Sequence, residues 1–377
     1  MLASSQMNSR TNLPQPHGFV VIDKPAGITS HDVVARIRRI FRTKRVGHTG
    51  TLDPQATGIM VVCLGTATRL AEYLSASSKT YRAGITFGIT TSTQDIWGDT
   101  LTETPADHLT AEQVELALPA LRGDILQVPP MVSALHHEGR RLYDLAREGV
   151  EVERDARPIH VSCLDLVSFV PGPKPEAVID VSCSAGAYIR TIAHDIGHSL
   201  GCGAAMSSLR RTEVGSVGGY HFGLGDAYTL DTLKDLAESE PLRLLDCLLP
   251  LTDAVVGWQS AKLTPEQVLL TRQGRFLDPT LINWDSGAPP PVGQRCALLS
   301  SDGETLVAIA EIRIKSESEA DAEEENEAED GKTAETGPYV RPLKVLVTEE
   351  RASEKTGDGK VLVTEEWAGE KTGDGQE

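Results

Sequence analysis

The stretch Gly47-His-Thr-Gly-Thr-Leu-Asp-Pro-Gln-Ala-Thr-Gly58 constrains this chain more than any other feature. Three glycines and a proline make it a loop with special backbone angles, and the residue before Pro54 is pushed towards extended geometry. Asp53 therefore sits where the chain cannot be helical, and its carboxylate can be presented into a cleft. An Asp-Pro pair on its own is commonly just a turn.

The segments around this loop give the fold class. Residues 18–23 read as a short buried strand ending at Lys24-Pro25. A helix follows, capped by Thr29 or Ser30, with Val33, Val34, Ile37, Ile40 and Phe41 on one face and Arg36, Arg38, Arg39 and Arg42 mostly on the other. After the loop come an apolar strand from Ile59 to Leu64, a short helix near residues 67–74, and an alternating strand from Tyr81 to Phe87. Thr110 to Gln113 forms a capping box. Short helix 142–148, strands 161–170 and 177–184, and a helix from Ile189 to about Leu200 complete this part. Single helices alternate with strands that are often adjacent in sequence, which favours an α+β fold with a mixed sheet over a doubly wound one. Beyond residue 250 the composition shifts: Cys296–Ser300 and Thr305–Ile312 flank Ser-Asp-Gly as a hairpin, and residues 339–346 regain strand character. Residues 316–336 are dominated by Glu, Asp and Ala and read as disordered. Lys344–Gly359 is echoed at Lys360–Gly375, a repeat too short to stack as a solenoid.

A net charge of −18 is unexpected for a protein that handles nucleic acid, but position matters more than the sum. Residues 316–377 hold 19 acids against 7 bases, whereas residues 36–45 place six positive charges in ten positions. The acidic total does not exclude RNA. The six cysteines, Cys63, Cys163, Cys183, Cys202, Cys247 and Cys296, lack the spacing of a zinc knuckle or redox motif, and are expected to be isolated buried thiols in a reducing, cytoplasmic setting. No apolar run is long enough to cross a bilayer, and residues 1–17 read as a polar arm without a signal peptide.

The twelve-residue loop resembles the signature of the TruB family of pseudouridine synthases, and further segments follow in that family's order. These are Gly18–Ser30, Lys79-Thr-Tyr-Arg-Ala83, Thr93-Gln-Asp95 with Gly98, Pro129-Pro130-Met131 with Ser133, Ser184–Arg190 and Leu209–Gly215. Val132, His136-His137 and Val217 depart from the pattern, at positions outside the catalytic set.

The resemblance implies an isomerase that needs neither cofactor nor metal. The N-glycosidic bond of uridine breaks, the base turns over, and C5 is joined to the ribose. Asp53 is the implied catalytic carboxylate, attacking C1′ or removing a proton at C2′; an aspartate is compact and ionised at neutral pH. Tyr81 is the implied stacking partner of the flipped base and an acceptor for the C5 proton. Arg190 pairs with Asp53, Asp95 joins the network around Arg190, and Tyr188 forms a wall of the site. Lys24 holds either the loop geometry or a phosphate, and His48 contacts RNA near the vacated base position. Arg38, Arg39 and Arg42 on the basic helix suit the phosphates of a structured loop.

The family's substrate is the T-stem-loop of tRNA. The expected organisation is a flexible arm over 1–17, a pseudouridine synthase catalytic domain over 18–250, and a β-rich PUA-like module over 251–346 that grips the tRNA body. That module carries the acidic insertion at 316–336, and a disordered tail covers 347–377. A monomer acting without guide RNA or membrane is expected. Two other readings are a tRNA-binding folding helper and the guide-dependent relative, whose extra terminal elements are not apparent. A phosphatase reading of Asp53 fails because Gln55 stands where the second Asp is required.

Overall fold

The computed structural model describes residues 14–133, 135–215, 220–314 and 338–347. Expectations for residues 1–13, 316–336, 348–377 and Val217 lie outside them.

Nine strands form one mixed sheet: β1 (Gly18–Lys24), β2 (Val46–His48), β3 (Thr57–Leu64), β4 (Lys79–Phe87), β5 (Gly123–Gln127), β6 (Arg157–Val170), β7 (Glu176–Cys183), β8 (Ala204–Gly215) and β9 (His221–Gly223). Their order is β1-β3-β8-β4-β7-β6-β5, with β2 on β3 and β9 on β8. Pairing is antiparallel except between β3 and β8, which run parallel through Thr57↔Arg210 and Gly58↔Arg211.

The apolar runs of β1 and β3 are continuous because both of their faces are covered. On one face, Val20, Ile22, Met60 and Val62 pack against Val33, Val34 and Ile37 of helix α1 (Ser30–Ile40). On the other, Phe19, Val21, Ile59 and Val61 meet Leu70, Tyr73 and Leu74. β4 alternates instead. Tyr81, Ala83, Ile85 and Phe87 join a core built with Ile189, Ile192, Ala193 and Ile196 of helix α2 (Ile189–Ser199).

The second sheet comprises β10 (Ser260–Lys262), β11 (Asn283–Trp284), β12 (Arg295–Leu299), β13 (Leu306–Ile314) and β14 (Pro338–Val345), in the order β11-β10-β12-β13-β14. It has its own core and also abuts the first sheet: Trp258 packs edge-on against Tyr73 at 5.7 Å, and Lys344 pairs with Glu72 at 2.9 Å.

Three local expectations change. Val46–His48 pairs with β3, so the irregular loop is only residues 49–56. Residues 65–70 form a tight 3₁₀ turn before a short α-helix at Ala71–Ser75. Cys163 is half-buried on β6, whereas the other five free cysteines are buried.

Candidate active site

The loop carrying Asp53 is tied down from beneath. Lys24, with 0% of its surface exposed, points its Nζ at the carbonyl oxygens of Ala56 (2.7 Å), Pro25 (3.0 Å) and Pro54 (3.0 Å). An ammonium group has three donors, and all three are occupied by backbone acceptors, so a phosphate has no access to Lys24 in this geometry. Burial pulls the Lys24 pKa down to about 8, against the opposing pull of the Asp53 charge. Ser30 adds a second tie: its hydroxyl donates to Leu52 O at 3.0 Å and accepts from Leu52 N–H at 2.9 Å. The helix cap is therefore Thr29, in a capping box with Asp32, which leaves the Ser30 hydroxyl for the loop.

Arg211, to which the family motifs assign no role, supplies the third tie. It is 2% exposed, and donates from Nε to Ile59 O at 2.6 Å and from Nη2 to Gly50 O at 3.1 Å. It lies directly across from Tyr81 in the β8–β4 register. Gly58 makes this approach possible. With φ at +98°, any Cβ there would fall 2.1 Å from Arg211 O. In the motif Leu209–Gly215, strand alternation puts Leu209 and Arg211 on the same, inward side. Arg210 faces the other way and pairs with Asp23 at 2.7 Å.

Above this base, Asp53 meets Arg190. The Arg190 Nε lies 3.1 Å from Asp53 Oδ2; the arginine side chain is 6% exposed and the aspartate 44%. Arg190 sits in the first turn of α2, whose N-cap residue Tyr188 exchanges two backbone hydrogen bonds with the buried Gln127 side chain (2.8 and 3.1 Å). The rest of the guanidinium is occupied too. Nη1 donates to Thr93 O at 3.0 Å and lies 3.7 Å from Asp95 Oδ2, and Nη2 donates to Val132 O at 2.9 Å. A guanidinium anchored to backbone carbonyls through both Nη1 and Nη2 is held in one orientation, so it can fix the carboxylate it faces. Asp95 is itself buried and accepts from Thr93 Oγ1 at 2.6 Å.

Tyr81 is 8% exposed, among Leu52, Ala56 and Val181. Burial pushes its phenol pKa above the ordinary value, outweighing the opposite pull of Arg211, so at neutral pH it is a phenol. His48 is half-buried and stands edge-on to His31, with ring centroids 6.1 Å apart. Burial, and then the nearby His31 and Arg211, lower its pKa, which favours the neutral ring. Lys79 is buried beside Arg211, donating to Ser75 O and Ser77 O at 2.7 Å each, and burial lowers its pKa to about 8.

The structure thus brings Asp53, Arg190, Asp95, Tyr81 and Lys24 together. It places Arg38, Arg39 and Arg42 apart from them, exposed on and just after α1. No ion pair among the described residues involves any cation of residues 36–45. Arg38 and Arg39 make only backbone contacts, to Val46 O at 3.2 Å and Ala35 O at 3.4 Å. Among the described residues, no group of three or more His, Cys, Asp or Glu side chains is placed to hold a metal ion, and no helix is long and apolar enough to cross a membrane.

Comparison with known proteins bears on this geometry. Residues 38–189 match the TruB family pseudouridylate synthase N-terminal domain, and residues 190–256 match the tRNA pseudouridylate synthase B C-terminal domain. The seam between the two matches falls inside α2, at Arg190, so it is not a boundary between folded units. The tRNA pseudouridine synthase B of Symbiobacterium thermophilum is 53% identical over 216 residues, covering 57% of this chain and 71% of that protein. Its namesake from Mycobacterium tuberculosis is 43% identical over 303 residues, covering 78% of this chain and 96% of that protein. Among solved structures, a chain of an H/ACA ribonucleoprotein bound to a substrate RNA containing 2′-deoxyuridine superposes with a TM-score of 0.62 at 24% identity. That match covers 89% of this chain and 86% of the other, and shows a shared fold. With both family matches, and relatives this similar along most of their length, the chain belongs to the TruB family of pseudouridylate synthases.

Proposed function

We propose that this protein converts uridine to pseudouridine in the T-loop of tRNA, acting as a cytoplasmic monomer without guide RNA, with Asp53 as the carboxylate that acts at the sugar. The observation that carries this reading is the Asp53–Arg190 pair at 3.1 Å: a half-exposed carboxylate faced by a buried arginine that two backbone carbonyls hold in place. Relatives named tRNA pseudouridine synthase B supply the substrate class.

The target base lies in a stack, so the uridine is flipped into the site before reaction. Tyr81 lies against the uracil. Its raised pKa keeps it a neutral phenol, which favours stacking over action as a base. Arg190 keeps the Asp53 carboxylate aimed, and Arg211 stands across from Tyr81 in the adjacent strand. Lys24 positions the loop and takes no part in holding phosphate, since its donors are filled by carbonyls. Tyr188 walls the site, and His48 faces the RNA as a neutral ring. The exposed cations of residues 36–45 take the phosphates of the T-stem, and the second sheet serves as a PUA-like grip on the tRNA body.

The test is incubation of the purified protein with an unmodified tRNA transcript and no other RNA, followed by mapping of pseudouridine. Conversion of a single T-loop uridine is expected. Absence of product, or product at another position, overturns the reading.

A further inference from the structure

Three tryptophans fall within the described residues, and the fold uses two of them. Trp284 is buried and donates its Nε1–H to Pro279 O at 2.8 Å, and Trp258 packs edge-on against Tyr73. Trp97 differs. It is 48% exposed, next to Ile96 at 43%, and its indole makes no hydrogen bond or ring contact among the described residues. Trp97 is the largest apolar side chain exposed among the described residues, with an apolar ring body and a polar N–H both open to a partner.

Its place in the fold connects it to the active site. The Trp97 N–H donates to Asp95 Oδ1 at 3.2 Å, while the other oxygen of that carboxylate faces Arg190, which faces Asp53. The turn bearing Trp97 is rigid. Arg190 Nη1 holds Thr93 O, Asp99 O accepts from Ser92 N–H at 2.9 Å, and Gln94 takes a left-handed conformation at φ 63°. Gly98 closes it, because any Cβ there would lie 2.3 Å from Thr93 Oγ1. One hydrogen-bonded network therefore links the catalytic carboxylate to the backbone of Trp97, two residues beyond Asp95.

We propose that Trp97 is a stacking platform for an unpaired nucleobase of the substrate RNA flanking the flipped uridine, a binding contact at the rim of the site. Flipping one base leaves its neighbour without a stacking partner, and an indole face accepts any base. The inference rests on the RNA-modifying function proposed above.

The experiment compares wild type, Trp97→Ala and Trp97→Phe, each as the full chain, for equilibrium binding and single-turnover pseudouridine formation. The RNAs are an intact T-stem-loop and versions made abasic at each loop position beside the target. Trp97→Ala is expected to weaken binding of the intact RNA by roughly five- to a hundredfold. Its rate at saturating RNA should stay within about threefold of wild type, and Trp97→Phe should recover most of the affinity. The loss should vanish for the one abasic RNA that lacks the stacked base. Unchanged affinity of Trp97→Ala, or an equal loss on every abasic RNA, overturns the proposal. Because binding is read separately from turnover, RNA that binds but is never converted by wild type counts against the proposed function and leaves the stacking result readable.

Discussion

Two sets of cations in this molecule, three buried and six exposed, have opposite fates. Lys24, Lys79 and Arg211 lie under the Asp53 loop with 0%, 7% and 2% of their surface exposed, and their donors are directed at backbone carbonyls. Arg36, Arg38, Arg39, Arg42, Lys44 and Arg45 stay in water on and beyond α1. A buried cation leaves water at a cost that only close acceptors offset, so it is held in place and serves geometry. An exposed cation is loosely held and free to meet a polyanion. The acidic net charge of the chain does not exclude RNA, because the six exposed cations are clustered within residues 36–45.

The buried set should show the largest effects. Arg211→Met and Lys24→Met each leave carbonyls beneath the loop without donors, and should lower stability by about 2–4 kcal/mol in urea unfolding. Both should depress turnover more than RNA affinity. A stability change below about 0.5 kcal/mol would place these cations with the exposed set and break the comparison.

pH sharpens it further. The folded pKa of Lys24 is about 8 against an ordinary value of 10.5, so between those values the unfolded chain binds more protons than the folded one at this site. The contribution of Lys24 to stability therefore rises from pH 8 to 10.5. The buried thiols Cys63, Cys183 and Cys296, pushed up to about 12, act in the opposite sense above pH 9. The useful quantity is thus the stability difference between wild type and Lys24→Met. It should move in favour of the wild type as pH rises through that window, and a flat difference would argue against a buried ammonium.

The exposed set should matter least to folding. The triple variant Arg38→Gln, Arg39→Gln, Arg42→Gln is expected to change stability by less than about 1 kcal/mol. It should reduce the slope of log affinity for RNA against log salt by roughly 2–3. An unchanged slope would remove these residues from the RNA-binding surface.

Much of this was legible in the sequence, for physical reasons. Apolar runs and alternation gave β1, β3 and β4, and side-chain caps gave the starts of α1 and of the Thr110 helix, because those signals are local. β8 was not read as a strand. Its sequence, Ala-Ala-Met-Ser-Ser-Leu-Arg-Arg-Thr-Glu-Val-Gly, carries polar side chains on both faces, and its long partners β3 and β4 lie more than a hundred residues away. Arg210-Arg211 looks in sequence like a solvated basic pair, and only the register with β3 and β4 sends one arginine inward. Asp53, Tyr81 and Arg190 were named from motif resemblance. Their meeting follows from the parallel β3–β8 pair, which brings the loop before β3 to Tyr81, and from α2, which brings Arg190.

The central claim is that Asp53 performs the chemistry while the surrounding cations only position it. The direct measurement is single-turnover pseudouridine formation by Asp53→Asn beside its equilibrium affinity for the same unmodified tRNA. This account predicts affinity within a few-fold of wild type and a rate lower by at least about a thousandfold. Product formed at a comparable rate would contradict it and move the catalytic role to another group.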